Sequence, residues 1–461
     1  MMDFSLTTDQ LDLRAALTAL LAEHSTPSRV RAAEPLGFDA ALWTVLGDFG
    51  FPQLASAREA NPAGLVELAI AARAAGVALA SAPLIESVVA TRLLDRLDRA
   101  ELGDTGGLIT FAPRPAAAGI ARTTPATTET AETARTATAR TAHATPTAAG
   151  IANTASAAGG VARTVPWGAV ADRVLAWDGT GIVASRTGAA VDAPKQTLSG
   201  LALGHVDLTG AAVLAVGPEA RRQFAEAVAD WRVLTAAALA GIGAEGLRLG
   251  VEYAKSRHQF GRPIGTFQAL AHQLADAATL VDGAELLVLE AARAIDTGSP
   301  RRHGLAAMAA AFAGRAARQA TDRALHAHGG YGYTLEYDVQ LYFRRAKALD
   351  LLTGGERAAV DAAADLALAD HDEGATTGTA SFIPAAERNP AAERNPGAER
   401  NPGAVQAAQQ NPATAEDVEQ DPAATGTAER NPATAGAGEL NPGAAEAAER
   451  KPGEHHEGRA A

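Results

Sequence analysis

Tyr253-Ala254-Lys255-Ser256-Arg257-His258-Gln259-Phe260-Gly261-Arg262-Pro263-Ile264-Gly265-Thr266-Phe267-Gln268 interrupts two long helical patterns and decides how the chain is read. Downstream, Phe267, Leu270, Leu274, Ala277, Val281, Ala284, Val288, Ala291 and Ile295 alternate at three and four residues. That spacing is the seam of an antiparallel helix bundle. The Gly-Arg-Pro turn leaves Arg257 at an expected helix end. A guanidinium there suits bidentate hydrogen bonds to a pyrophosphate. Thr266 is expected to cap the second helix. Ser299-Pro300 is expected to supply the N-cap and first residue of a third, and Gly329-Gly330 to end it. Those glycines belong to His328-Gly329-Gly330-Tyr331-Gly332-Tyr333, which would let backbone approach a phosphate closely. Taken singly, the first motif is a surface arginine beside a core phenylalanine and the second is a helix stop. Their order and helical setting carry the meaning.

Outward from this bundle the chain changes character twice. Residues 1–105 read as a helical domain. Thr7-Thr8-Asp9-Gln10 is a capping box, and Leu13, Leu17, Leu20 and Leu21 follow at helical spacing. Leu42, Trp43, Val45 and Leu46 mark a second helix stopped by Gly47 or Gly50. Leu65, Leu68, Ile70, Ala72 and Val77 mark a third that breaks near Pro83. Residues 106–217 read as a small middle β-domain with strands at 108–111, 173–177, 181–184 and 212–216. Asp178-Gly179 is a hairpin turn, and a low-complexity insertion runs over 113–158. Residues 218–369 form the C-terminal four-helix bundle domain. The fold class is therefore α+β and multidomain. From 370 to 461 the unit Ala-Glu-Arg-Asn-Pro recurs at 386–390, 392–396, 398–402 and 428–432 with almost no large apolar residue. Such a tail is expected to be disordered, since it cannot bury enough surface to offset its ordering entropy.

Composition narrows the chemistry. The 461-residue chain carries a net charge of −13 and no cysteine. The charge disfavours nucleic acid and anionic membranes as partners. The missing cysteine removes disulfides, thiolate catalysis and cysteine–zinc sites. His258, His272 and His303 lack metal-ligand spacing, so no metal is expected. Neither a signal peptide nor a membrane span is expected, and a cytoplasmic location follows as the default.

The two C-terminal motifs and the order helices, strands, bundle resemble the acyl-CoA dehydrogenase family, flavoenzymes that desaturate acyl-CoA thioesters. The resemblance covers about residues 3–368. It implies FAD as cofactor, an acyl-CoA as substrate, an electron-transfer flavoprotein or similar acceptor, and a homo- or hetero-tetramer. It implies that Arg257 meets the flavin pyrophosphate across a subunit interface, that Phe260 packs on the cofactor and that Gln268 bonds it. Gly329 and Gly330 would meet the flavin of a neighbouring subunit. His326 stands where the family often has Gln.

The same resemblance locates a gap. After Arg344-Arg345-Ala346-Lys347 the family commonly has Tyr-Glu-Gly-Thr, whose glutamate removes the α-proton. Here Thr353 takes that place, and a threonine hydroxyl is far too weak an acid to serve as base unaided. The catalytic base is therefore unassigned. The alternative base position falls at Trp231 and Arg232. Asp230 and Glu356 are close in sequence and read as solvated helix-end carboxylates. Trp167 reads as a flavin neighbour or a hydrophobic plug. Four functions remain open. The first is an acyl-CoA dehydrogenase transferring hydride to FAD, and the second is a catalytically silent subunit of a heteromeric dehydrogenase, known in the family for steroid-derived acyl-CoAs. The others are a flavin monooxygenase variant and a purely structural bundle.

Overall fold

The computed structural model describes residues 5–51, 53–103, 107–118, 160–186, 197, 200–355, 357, 360, 361 and 364. Glu356, positions 119–158 of the expected insertion and the whole expected tail lie outside them. The described chain is mostly helical with a small β region.

The N-terminal helices are α1 (Thr8–His24), α2 (Pro27–Ala33), α3 (Ala40–Phe49), α4 (Leu65–Val77) and α5 (Leu84–Arg96). The capping box forms as read: Gln10 N–H donates to Thr7 Oγ1 at 3.3 Å and Thr7 N–H donates to Gln10 Oε1 at 3.0 Å. Gly50 ends α3 at φ 105°, a left-handed conformation that costs glycine little. Pro83 was read only as a break. It is the N-cap position of α5, a helix missing from the sequence reading.

The β region holds two sheets. In the first, β1 (Ile109–Phe111) lies parallel to β4 (Arg173–Trp177), which pairs antiparallel with β5 (Gly181–Arg186), and β5 with β7 (Ala212–Val216). Every residue of β4 is buried, as befits a central strand. Asp178 builds the β4–β5 turn by accepting from the Thr180 and Gly181 amides at 2.8 and 2.9 Å. The second sheet is β2 (Ala117–Ala118), β3 (Gly160–Pro166) and β6 (Leu203–Asp207). Neither β3 nor β6 was expected.

Four helices complete the body: α6 (Gly217–Ser256), α7 (Gln268–Asp296), α8 (Arg302–His328) and α9 (Val339–Leu352). The α7 seam is confirmed, with Leu274, Ala277, Val281, Ala284, Val288 and Ala291 buried. Two caps differ from expectation. The Thr266 hydroxyl donates to the Pro263 carbonyl, so Phe267 occupies the N-cap without a side-chain bond. Helix α8 begins at Arg302, two residues after Pro300, because Ser299 and Pro300 spend themselves on the preceding turn.

Helices α6 and α8 approach closely along a face of small residues. A Cβ on Gly246 would lie 2.7 Å from Thr321 Cγ2, and one on Gly250 would lie 2.8 Å from Ala324 Cα. One window of α6 is long and apolar enough to cross a membrane, yet 89% of it is buried inside the protein, as in a core helix. Finally, α9 is tied back to the start of the chain. Asp338 pairs with Arg31 at 2.6 Å, Arg344 pairs with Glu34, and the Tyr342 hydroxyl donates to the Val77 carbonyl at 2.9 Å.

Candidate functional site

The corner after α6 is a small hairpin. Strands β8 (His258–Gln259) and β9 (Arg262–Pro263) flank Phe260 and Gly261, which both have positive φ, 54° and 77°. A two-residue turn with both central residues left-handed matches the twist of a hairpin. Phenylalanine is rarely found in that conformation. Its side chain is 91% exposed, so no core packing explains it.

Arg257 is the C-cap residue of α6, and its carbonyl accepts from the Ile264 amide at 2.8 Å. Its exposed guanidinium has no carboxylate partner among the described residues. The guanidinium lies instead over the Tyr331 ring, 5.7 Å from the centroid. Tyr331 belongs to the single 3-10 turn Gly329–Tyr333 that ends α8. The fold thus brings the two motifs of the sequence to one place. Behind them, Tyr253 stacks on His328 with centroids 4.1 Å apart, and Tyr337 stands edge-on to both. Burial pushes the His328 pKa down, against a bond between Nδ1 and the Ala324 carbonyl.

The remaining expected residues are placed less tightly. His326 is exposed in the last turn of α8, and its carbonyl accepts from the Gly329 amide. Gln268 is exposed as the first residue of α7. Phe260 meets Phe267 edge-on at 6.0 Å, and Arg262 lies 4.3 Å over the Phe267 ring. Phe260 and Gln268 therefore line the α7 side of the corner, while Arg257, Gly329 and Gly330 line the α8 side.

A second place of interest is the end of α9. Thr353 Oγ1 donates to the Asp350 carbonyl at 2.7 Å, which commits its proton to the helix end. Arg114 reaches over from the β region and donates through Nη2 to the carbonyls of Leu351 and Leu352, at 2.9 and 2.7 Å. Sequence reading missed Arg114 because it sits inside a segment read as irregular.

A third is the interior beside α6. Trp231 and Trp167 are buried, 3% and 4% exposed, and their indole N–H groups both donate to Glu86 of α5. Asp230 requires a correction. It is fully buried in the middle of α6 and pairs with Arg92 and Arg96, so it is neither solvated nor at a helix end. Among the described residues no cluster could hold a metal ion. His303 instead bonds Glu226, which also pairs with Arg302.

Comparison with known proteins decides the family. Residues 222–366 match the family model for the acyl-CoA dehydrogenase C-terminal domain. Over 356 residues the chain is 30% identical to acyl-CoA dehydrogenase IpdE2 of Mycolicibacterium smegmatis, covering 75% of this chain and 94% of that protein. The chain belongs to the acyl-CoA dehydrogenase family. It is also 30% identical over 378 residues to acyl-CoA dehydrogenase FadE27 of Mycobacterium tuberculosis, covering 77% and 95% of the two chains. Among solved structures, the ChsE4–ChsE5 complex of Mycobacterium tuberculosis superposes with a TM-score of 0.63 at 25% identity, over 82% of this chain and all of that one.

An acyl-CoA dehydrogenase implies a flavin cofactor, and the corner fits one end of it. Arg257 offers an exposed guanidinium without a competing carboxylate. A Cβ on Gly330 would meet nothing within 4 Å, so the backbone is open to close approach. The interior is 26 residues back along the same helix, roughly 39 Å away at 1.5 Å per residue. A dinucleotide is shorter than that. The corner and the Trp231 interior are therefore separate places along α6.

Proposed function

We propose that this chain is one half of a heteromeric acyl-CoA dehydrogenase, lending its exposed bundle end to a flavin held with a partner subunit that carries the carboxylate base. The observation that carries this reading is the end of α9. Where the resemblance implies glutamate, Thr353 bonds its own helix and Arg114 caps the last carbonyls. A base needs a lone pair free to take the α-proton of a thioester. This position offers a hydroxyl already spent on the Asp350 carbonyl. The alternative base position offers an indole, Trp231, bonded to Glu86.

Bound flavin supplies the acceptor for the β-hydride. This chain's residues orient it. Arg257 would neutralise the pyrophosphate, the Gly329-Gly330 backbone would approach it, and Phe260 would cover it from the hairpin, with Gln268 and His326 as flanking hydrogen-bond groups. The similarity to a two-component complex supports the heteromeric arrangement. The substrate class is an acyl-CoA thioester, with bulky steroid-derived ones first to be tried, and an electron-transfer flavoprotein or similar carrier would reoxidise the flavin.

The test is to purify the chain alone and co-expressed with a glutamate-bearing family member, then record visible absorbance, mass by light scattering, and bleaching by acyl-CoA without oxygen. The expected result is a colourless chain alone and a yellow, bleachable hetero-oligomer. Flavin that stays with the chain alone and bleaches would instead make it a dehydrogenase in its own right. Thr353→Glu in the lone chain is expected to give no turnover, because the lone chain is expected to retain no flavin.

A further inference from the structure

Glu86 is a buried carboxylate that the proposed function leaves unused. Trp167 Nε1 donates to its Oε2 at 2.9 Å and Trp231 Nε1 donates to its Oε1 at 3.0 Å. The three residues come from α5, the residue after β3, and α6. They tie together the N-terminal helices, the β region and the bundle. No cation bonds Glu86 among the described residues. The nearby arginines of α5, Arg92 and Arg96, turn to Asp230 instead. Burial drives the Glu86 pKa up, and the two indole bonds oppose that rise.

A carboxylate buried without a cation is costly, and only its hydrogen bonds offset the loss of water. A glutamine here would serve one indole and present its amide N–H groups to the other donor. Two indole donors facing one side chain therefore call for a carboxylate. The backbone supplies a second, independent observation. Trp167 sits at φ 60°, a left-handed conformation a bulky residue holds only when its surroundings impose it. Apart from Glu86, its ring has an edge-on contact with Phe38 at 6.4 Å. A third lies one turn beyond Trp231 on the same face of α6. Thr235 is 1% exposed, and its hydroxyl has no hydrogen-bond partner.

We propose that Glu86 is a latch: it holds the strained Trp167 indole shut against Trp231, and release of Trp167 is the movement that opens the interior between α5, α6 and the sheets. Trp231, in the middle of a 40-residue helix, is the fixed post. Trp167, in a turn after a strand, is the moving part. Opening relieves the backbone conformation at Trp167 and exposes the Glu86 carboxylate. This inference rests on the interior geometry alone, so it stands or falls separately from the heteromeric reading.

The test uses the full chain labelled with 5-fluorotryptophan, whose four tryptophans give four fluorine resonances assigned by single Trp→Phe changes. Solvent isotope shifts report exposure, and indole hydrogen exchange reports opening. In the unaltered chain Trp167 and Trp231 should be solvent-shielded. In Glu86→Leu, which fills the space but accepts no hydrogen bond, Trp167 should become solvent-sensitive while Trp43 and Trp177 keep their shifts and Trp231 stays solvent-shielded. In Glu86→Gln, a milder change that guards against failure of the leucine variant to fold, indole exchange at Trp167 should rise about tenfold, the effect of one lost hydrogen bond. Trp167 remaining shielded, with unraised indole exchange, in every variant that folds would overturn the latch. Equal exposure of all four tryptophans would overturn it too, since Glu86 would then support the fold as a whole.

Discussion

The buried half of α6 around Trp231 and its C-terminal end are built on opposite terms. Around Trp231 the carboxylates are buried and take their donors from inside the protein: Glu86 takes two indoles, and Asp230 takes two arginines. Around Arg257 the cation is exposed, Phe260 projects from the surface, and Tyr331 and Tyr333 are 52% and 74% exposed. A closed end spends its side chains on stability. An open end leaves them for something outside the chain. The difference teaches that one helix can be core along one half and exposed at its end.

The comparison can be broken most forcefully at the closed end. Trp231→Ala should cost about 3–5 kcal/mol, from the cavity it leaves and the acceptor it strands. Chemical denaturation would measure this, and a loss below about 1 kcal/mol would show that the interior is not closed. Next comes acid stability. Burial pushes Glu226 up, but bonds from His303 and Arg302 win and hold its pKa at about 2. A depressed folded-state pKa adds stability above the unfolded value of 4.5 that is lost as pH falls toward 2. Glu226→Gln should therefore lower stability at neutral pH by about 2–3 kcal/mol and flatten the acid limb of a denaturation profile between those values. A profile parallel to that of the unaltered chain would contradict the assignment.

At the open end the expected effects fall on binding. Arg257→Ala should weaken flavin retention in the co-purified complex by roughly 10–100-fold, the value of a charge-assisted contact, and leave the melting temperature unchanged. Unaltered flavin content would detach this corner from the cofactor. The smallest effect should be at the hairpin tip. Phe260→Gly removes a side chain from a left-handed position and should stabilise the lone chain by roughly 0.5–1 kcal/mol, while weakening the complex. A loss of stability in the lone chain would mean that the exposed phenylalanine packs within its own subunit.

What could be read from the sequence followed physical locality. The capping box at Thr7, the α7 seam and the stop at Gly329 are encoded within a few residues, and each appears as read. The Arg257 corner and the glycine turn were legible as motifs, but their meeting through Tyr331 was not, because 74 residues separate Arg257 from its ring partner. Helix α5 was lost behind Pro83, which starts a helix as readily as it ends one. Strands β3 and β6 lack clean alternation, and their pairing shifts register between Ala162 and Val165. Asp230 was misplaced because α6 runs unbroken through it. Glu86 carries no local signal at all: a glutamate on a helix is ordinarily solvated, and only the two distant indoles show otherwise.

The ties between α9 and the N-terminal helices set the order in which this protein can be completed. Arg31 and Asp338 are 307 residues apart in sequence, and Glu34 and Arg344 are 310 apart. At ordinary rates of synthesis the first helices emerge about 15–60 s before the segment that carries these partners. During that interval α4, α5 and α6 supply the apolar cover, and only the ties to α9 are missing. A ribosome that stalls before α9 therefore releases a product whose N-terminal helices lack the ties from Asp338, Tyr342 and Arg344.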